Sequence, residues 1–272
     1  MSDRPSISSL KAVFRFPGVG VDARSRFILG CVLVLAGFII PIIPGLIVAG
    51  YALRIMRQAI NGEELHLPAW DQWSKLIIDG LRWTIISIVY FLPGFIAVIV
   101  GFSAYIGGIM ASVAQSSSGS SDAGVLAMFA GMGVYFIALA VGVLLFMLAA
   151  IPLPVASAHF VAKDSFGAAF RVREWWPLLK VNKLGYFVAW VVIIGLYSVM
   201  SMASMVLMYS LVLCIAVPFA LAPASLYLSV ISAALFGQTY RDSQEMLAPA
   251  TKLESTPAEP APNDVTPDMA TD

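Results

Sequence analysis

The sequence predicts an all-α, polytopic membrane protein with about six transmembrane helices. We expect these helices to form three hairpins, each preceded by a cytoplasmic interfacial amphipathic helix. The first observation behind this prediction is composition: 60% of the 272 residues are hydrophobic and 12% are charged, whereas roughly 25% of residues are charged in soluble domains. The second is a set of aromatic, basic segments between long apolar runs, and the third is the placement of lysine and arginine.

Residues 1–26 are predicted to be a cytoplasmic segment that contains a short amphipathic helix. Its apolar residues recur at helical spacing and its cations lie on the flank: Ile7, Leu10, Val13 and Phe14, with Lys11 and Arg15. A basic amphipathic helix of this kind binds the surface of an anionic leaflet. We therefore expect Phe14 and Arg15 to lie at the membrane interface.

The first apolar run, Phe27–Ala59, is interrupted by Pro41 and Pro44. Either one kinked helix crosses the membrane, or two short helices form a hairpin with the prolines at its tip. A span needs about 20 apolar residues, and residues 27–40 supply fewer, so length alone favours the single helix. Charge placement, considered below, favours the hairpin.

The segment Leu67–Trp83 is predicted to be a helix lying flat in the membrane interface. Wound at helical pitch, it has an apolar side with Trp70, Trp73, Leu76, Ile77 and Leu81, and a charged side with Asp71, Lys75, Asp79 and Arg82. Tryptophan is enriched at headgroup depth, and such a split suits an interfacial helix. Spacing also favours i, i+4 pairing of Asp71 with Lys75 and of Lys75 with Asp79.

Four further spans follow, and a kink is expected at Pro93-Gly94 in the first of them. The six predicted spans cover about residues 27–40, 44–59, 84–102, 125–151, 184–208 and 211–236. Residues 103–122, between the third and fourth predicted spans, are rich in glycine and serine, and residues 116–121 are predicted to be a flexible loop tip. Small residues four apart, Ala127 with Gly131 and Ala138 with Gly142, would permit close helix approach.

Lysine and arginine near span ends accumulate on the cytoplasmic side. They precede the first run and recur before the third and fifth spans and after the sixth, whereas residues 103–122 contain none. With the N-terminus and Leu67–Trp83 on one side, the run 27–59 must cross an even number of times. This requirement favours the hairpin, either complete or partly re-entrant, and places both termini in the cytoplasm.

The remaining segments complete a membrane domain over residues 27–240. A third aromatic, basic segment, residues 165–176, precedes the last two spans. Residues 241–272 are rich in proline and acids and are predicted to be a disordered cytoplasmic tail. The residues expected at the interface or in contact with lipid are Phe14, Arg15, Trp70, Trp73, Lys75, Arg82, Trp83, Phe170, Arg171, Arg173, Trp175 and Trp176.

The sequence contains no motif for catalysis, a cofactor or a metal, and we expect none of these. His66 lies near Glu63 and Glu64, but a solvated loop explains that group better than a ligand set does. His159 stands alone among apolar residues, and a packed or interfacial histidine is the favoured interpretation. A formal net charge of zero gives no reason to expect nucleic acid as a partner.

One group of residues resembles the signature of domain-of-unknown-function family 4013, a set of prokaryotic multi-pass membrane proteins. The matching positions are Gly50, Tyr51, Arg54, Pro68, Trp70, Asp71, Asp79, Gly80, Pro93 and Gly94. The resemblance extends over about residues 14–242. It implies a bacterial or archaeal cytoplasmic (inner) membrane location, and it implies no catalytic residues because the activity of the family is unknown.

The functional hypothesis is a non-enzymatic membrane-organising or accessory protein that acts through lipid or protein contacts. Membrane lipids are the expected partners, with a membrane protein as a second class of partner. The alternative is a permease or exporter of a neutral or amphiphilic substrate, since proline-broken helices often line transport sites. A membrane enzyme is the least favoured hypothesis, because the sequence lacks convergent polar residues.

Overall fold

A computed structural model describes residues 13–18, 22–40, 42–117, 121–209 and 216–254, and every regular element within them is helical. Eight α-helices are numbered here in chain order: α1 Ala23–Ala36, α2 Ile42–Asn61, α3 Trp73–Ser117, α4 Ser121–Ala150, α5 Leu153–Lys163, α6 Val172–Val181, α7 Lys183–Met208 and α8 Val217–Glu254. Two short 3₁₀-helices, Phe16–Gly18 and Phe166–Phe170, accompany them.

Four described helical segments are long and apolar enough to cross a membrane. They are Trp73–Gln115, Asp122–Lys163, Lys183–Met208 and Val217–Ala248. The regular structure of the described residues is therefore all-helical, as predicted, and these four segments are compatible with a multi-pass membrane protein. Six spans remain a prediction, because α1 and α2 are not among these four segments.

The first apolar run divides into two helices, as the two-helix alternative predicts. Helix α1 ends at Ala36, and α2 begins at Ile42; the predicted tip residue Pro41 lies outside the described residues. At 1.5 Å per residue, α1 is about 21 Å long, less than the roughly 30 Å hydrocarbon core. Apolar side chains near the tip are exposed, with Ile39 at 84% and Ile42 at 71%.

Helices α2 and α3 pack backbone against backbone through two glycines. A Cβ atom at Gly50 would overlap the carbonyl oxygen of Leu76, and one at Gly80 would overlap the carbonyl oxygen of Leu46. These pairs run antiparallel, so the first turn of α2 lies near the level of residue 84. Helix α3 continues about 50 Å beyond that level to Ser117.

Beyond α2, helix α3 forms a long antiparallel pair with α4. A Cβ atom at Gly131 would lie 2.8 Å from the carbonyl oxygen of Ala104, and one at Gly142 would lie 2.7 Å from Val98. A Cβ atom at Gly94 would likewise lie 2.6 Å from the ring of Phe146. The predicted close approach at the small residues of α4 is confirmed.

The prediction of one flat helix over Leu67–Trp83 is wrong in its first part. Residues 67–72 are not helical, Gln72 has a φ of 53°, and α3 begins at Trp73. Helix α3 then continues without interruption to Ser117, beyond the predicted end of the third span at residue 102, and residues 116 and 117 of the predicted loop tip are helical. Side-chain contacts of residues 67–71 with α1 and α2, described below, replace the helical hydrogen bonds.

The predicted faces of this segment also differ from the structure. Asp79 is 8% exposed and lies on the side packed against α2, whereas Leu81 is 45% exposed. The close approach at Gly50 and Gly80 turns this side of α3 inward. The predicted pairing of Asp71 with Lys75 is wrong, because Asp71 lies before the helix and pairs with Arg54.

The prediction of a disordered tail from residue 241 is wrong as far as residue 254. Helix α8 extends to Glu254. Tyr240 and Ser243 are fully buried, and Leu247 packs against the core. These contacts stabilise helix in a region whose composition alone predicts disorder. Residues 255–272, and residues 1–12 with most of the predicted N-terminal amphipathic helix, lie outside the described residues.

The hydrophobic core lies between α2, α5 and α8, at the end of the bundle where these helices carry their charges. Ile55, Phe160 and Ile231 are among its most buried side chains. At the same end, Arg57 Nη2 donates to Asp164 Oδ1 at 2.9 Å, and the Arg241 side chain lies against Gly62. We call this region, which includes the start of α3 and helix α6, the charged end.

Candidate functional site

The loop of residues 67–72 is the last part of the connection from α2 to α3 at the charged end, and side chains of α1 and α2 hold its backbone. Arg26 Nη1 donates to the carbonyl oxygen of Leu67 at 2.6 Å. The Tyr51 hydroxyl donates to that of Pro68 at 2.9 Å, and Arg54 Nη1 donates to that of Ala69 at 3.1 Å. Carbonyl oxygens that no helix satisfies are thereby paired by side chains from other elements.

Trp70 anchors this loop between α1 and α2. Its ring stacks on Tyr51 with centroids 3.8 Å apart and planes 6° apart, and Trp73 follows at 6.2 Å. The Trp70 indole Nε1 donates to the carbonyl oxygen of Arg26 at 2.7 Å. Trp70 is therefore half-buried against protein and joins three helices.

Arg54 and Asp71 form an ion pair at the surface of the loop. The hydrogen bond from the Arg54 guanidinium holds the pKa of Asp71 below its ordinary value. Because both groups are partly or largely exposed, the pair orients the loop more than it stabilises the fold.

A second polar network crosses the charged end through His159 of α5, which is 3% exposed. His159 Nε2 lies 3.0 Å from Glu174 Oε2, and His159 Nδ1 lies 2.7 Å from the Tyr240 hydroxyl. A carboxylate only accepts, so Nε2–H donates to Glu174; in the neutral ring Nδ1 then accepts from Tyr240. Gln244 Nε2 donates to the Tyr240 hydroxyl at 3.4 Å.

This network ties α5, α6 and α8 together. Arg171 Nη1 donates to the other oxygen of Glu174 at 3.3 Å. The hydrogen bond from His159, helped by Arg171, holds the pKa of Glu174 below its ordinary value. Both ring nitrogens of His159 are occupied, so the arrangement positions helices and leaves the imidazole no free nitrogen for a ligand.

The packed interpretation of His159 is confirmed, but sequence reasoning missed its partners Glu174 and Tyr240. The available signal was His159 itself, since a buried polar side chain nearly always has hydrogen-bonding partners. The identity of those partners could not be read from local spacing, because they lie 15 and 81 residues away along the chain.

Two cavities flank Pro154 and Phe236. The larger, of about 910 Å³, lies between the α4–α5 junction and helices α6, α7 and α8, and it is almost wholly apolar. The smaller, of about 440 Å³, lies inside the bundle between α2 and α8, with serine and tyrosine hydroxyls in its wall. Both volumes fall within the usual range for ligand pockets, roughly 300–1,000 Å³.

Comparison with known proteins gives a family match. The model of the family described as "Protein of unknown function (DUF4013)" matches residues 33–209, about two thirds of the chain. The chain belongs to this family. The predicted resemblance is thus confirmed, over a shorter range than the residues 14–242 expected. No match was found among the curated proteins or among the solved structures.

The structure brings most of the residues quoted for the family resemblance together at the α2–α3 junction. Gly50, Tyr51, Arg54, Pro68, Trp70, Asp71 and Gly80 form its close helix contact, ring stack and loop hydrogen bonds. Asp79 is buried beside them, with Arg82 Nη1 at 3.8 Å. Pro93 and Gly94 lie farther along α3, where Gly94 contacts α4. At this junction, the residues that carry the family resemblance hold α2 and α3 together.

The predicted interfacial residues divide into three groups by exposure. The exposed ones are Arg15, Trp73, Lys75, Arg82, Phe170, Arg171, Arg173 and Trp176. Phe14, Trp70 and Trp83 are half-buried, and the Trp83 indole Nε1 donates to Ser157 Oγ at 3.1 Å. Trp175 is 2% exposed and donates to the carbonyl oxygen of Ala169 at 3.0 Å. This burial corrects the prediction that Trp175 contacts lipid.

Proposed function

We propose that this chain is a non-enzymatic membrane protein that organises anionic lipids in the cytoplasmic leaflet of a prokaryotic inner membrane. In this proposal its partners are membrane lipids and, in an accessory role, another membrane protein. The observation that carries the proposal is a set of exposed aromatic and cationic side chains at and near the charged end.

This set of side chains includes exposed aromatic rings, which are unusual on a surface that contacts only water. Trp73 is 41% exposed and Phe170 is 37% exposed, and both lie close in sequence to exposed cations, Lys75 and Arg171. Aromatic rings partition to headgroup depth, and each cation near an anionic surface contributes about 1 kcal/mol. Such a set of side chains attracts anionic lipid by partitioning and charge, and this role requires no catalytic residues.

The proposed topology keeps the charged end and both termini in the cytoplasm. Helices α3, α4, α7 and α8 supply four spans, and α1 and α2 form the first of three hairpins. Ile42, near the tip of this hairpin, lies at about the level of residue 84, and α3 continues about 50 Å beyond that level. The hairpin therefore reaches only part of the way along α3, which supports the re-entrant alternative over two complete spans. Entry and return on one side preserve the even number of crossings that charge placement requires.

Lipid organisation is testable with the full chain reconstituted into vesicles of phosphatidylethanolamine and phosphatidylglycerol. Self-quenching of headgroup-labelled phosphatidylglycerol reports local enrichment. We expect the protein to increase quenching of this probe but not of labelled phosphatidylcholine, and we expect the double substitution Trp73→Ser with Phe170→Ser to abolish most of the increase.

The matched control is Tyr209→Ser, which removes an aromatic ring that is 80% exposed and lies beyond α7, away from the charged end. The control should quench like the parent chain. Equal quenching of both labelled lipids, or an unchanged response in the double variant, would contradict the proposed role.

Transport of a neutral or amphiphilic substrate is the second candidate function, and the 440 Å³ cavity favours it. Ser157, Tyr197, Ser229 and Ser232 place hydroxyl groups in a wall that is otherwise largely apolar. Uptake of a panel of neutral solutes into the same vesicles tests this alternative. Vesicles that stay sealed to every solute would argue against it.

A further inference from the structure

The 910 Å³ cavity forms a groove with an apolar interior and a cationic rim. Its lining includes Met147 of α4 and Ile151 of the α4–α5 junction, together with Phe187 and Trp190 of α7 and Phe236 of α8. Apolar atoms make up most of the lining. Such a surface is suited to a hydrocarbon chain, since burial of each methylene contributes about 0.8 kcal/mol.

Two lysines lie at the charged end of this groove. Lys180 is near the end of α6 and Lys183 is the first residue of α7, and both are exposed groove-lining residues. Within the part of the chain that the structure describes, neither ammonium group has a carboxylate partner. The Lys180 Nζ lies 5.7 Å from the centre of the Trp176 ring, which leaves its donors available to an anion.

The nearest acid along α6 does not neutralise these lysines. The carboxylate of Glu174 instead accepts hydrogen bonds from His159 and Arg171. The groove therefore presents unpaired positive charge at one end and hydrocarbon-like surface along the rest. This distribution is complementary to an anionic amphiphile, whereas a second copy of the chain would have to offer an acidic group beside an apolar ridge.

We propose that this groove binds one anionic phospholipid of the cytoplasmic leaflet, with its phosphate at Lys180 and Lys183 and an acyl chain against Phe187 and Trp190. The proposal deepens the lipid-organising function and rests on it. It differs from that function in requiring a discrete site. The lysine stems reach along the apolar wall while their charges stay at headgroup depth.

The test uses lipids with brominated acyl chains, which quench tryptophan fluorescence on contact. The full chain is reconstituted in dioleoyl phosphatidylcholine vesicles that contain a minor fraction of brominated phosphatidylglycerol or, in parallel, brominated phosphatidylcholine. We expect more quenching by the anionic lipid. The substitution Trp190→Phe should remove a large part of this excess, because Trp190 lies in the groove wall.

The charge requirement is tested with the double variant Lys180→Gln with Lys183→Gln. At about fivefold in affinity for each cation near an anionic surface, this variant should lose about 25-fold in preference for brominated phosphatidylglycerol. The matched control, Arg24→Gln with Lys163→Gln, removes the same charge from exposed positions outside the groove lining and should keep the preference.

Each other outcome overturns the site. If both double variants lose the preference equally, cations attract lipid generally and no discrete site exists, although the proposed lipid-organising function still stands. If Trp190→Phe retains the full excess of quenching by the anionic lipid, the acyl chain binds elsewhere. If neither brominated lipid quenches the part of the fluorescence that Trp190→Phe removes, a protein segment or nothing occupies the groove. Failure of the proposed function is detected separately, by the Trp73 and Phe170 variants.

Discussion

Replacing Gly50 or Gly80 with alanine should separate helices α2 and α3. In each case the new methyl group overlaps a backbone carbonyl oxygen of the facing helix, so no flexible side chain can move away to make room. Overpacking of this kind costs about 1–3 kcal/mol, and a backbone obstacle places these variants near the upper value. We therefore expect a loss of about 3 kcal/mol for each substitution.

The matched controls are Gly45→Ala in α2 and Gly107→Ala in α3, since nothing lies within 4 Å of a Cβ atom at either position. Alanine is the better helix former by about 0.5–1 kcal/mol, so these controls should be neutral or slightly stabilised. The comparison thus holds helix and substitution constant and varies only the contact.

The assay is heating of the solubilised full chain followed by size-exclusion chromatography, at one fixed heating rate because unfolding of such chains is commonly irreversible. A loss of 3 kcal/mol should lower the apparent Tm by about 6–12 °C in a chain of this size. Near-ultraviolet circular dichroism should also weaken as Trp70 loses its stack on Tyr51. If Gly50→Ala and Gly80→Ala melt together with their controls, the close contact of α2 and α3 is refuted.

Three further predictions concern other contacts. Because the pKa of Glu174 is held below its ordinary value, its ionised form stabilises the fold above the ordinary glutamate pKa, about 4.3, and that contribution is lost as the pH falls through the lower folded-state value. Acid should therefore lower the apparent Tm of the parent chain more than that of Glu174→Gln; equal slopes would exclude the contact with His159. Gly131→Leu should lower the apparent Tm by disrupting the α3–α4 contact, whereas Gly133→Leu, with open space around it, should not. Trp70→Phe keeps a ring for stacking but loses the indole hydrogen bond, and denaturation should show a loss of about 1 kcal/mol.

The sequence predicted the helical membrane class well because that class depends on composition and local periodicity. Long uncharged runs specify α4 and α7 closely, and the small residues of α4 correctly predicted its close packing. The two-helix alternative for the first run was reached from charge placement. Each of these features can be read along the sequence, without knowing what any segment contacts.

Segments whose conformation depends on distant partners were predicted poorly. Residues 67–72 have helical spacing, yet they form a loop because Tyr51 and Arg54 of α2, together with Arg26 of α1, take up their carbonyl oxygens. Residues 241–254 have a disordered composition, yet burial of Tyr240 and Ser243 keeps them helical. In both cases tertiary contacts override local preference.

The sequence by itself determined that this protein is helical, belongs to the membrane class and carries aromatic, cationic side chains near its helix ends. Hydrophobic content and helical period encode these properties residue by residue. Tertiary structure alone decided that Trp70 and Trp175 face protein while Trp73 and Trp176 are exposed, and that His159 meets Glu174 and Tyr240. It also decided that Lys180 and Lys183 lie at the end of an apolar groove, because a groove exists only between helices that have packed.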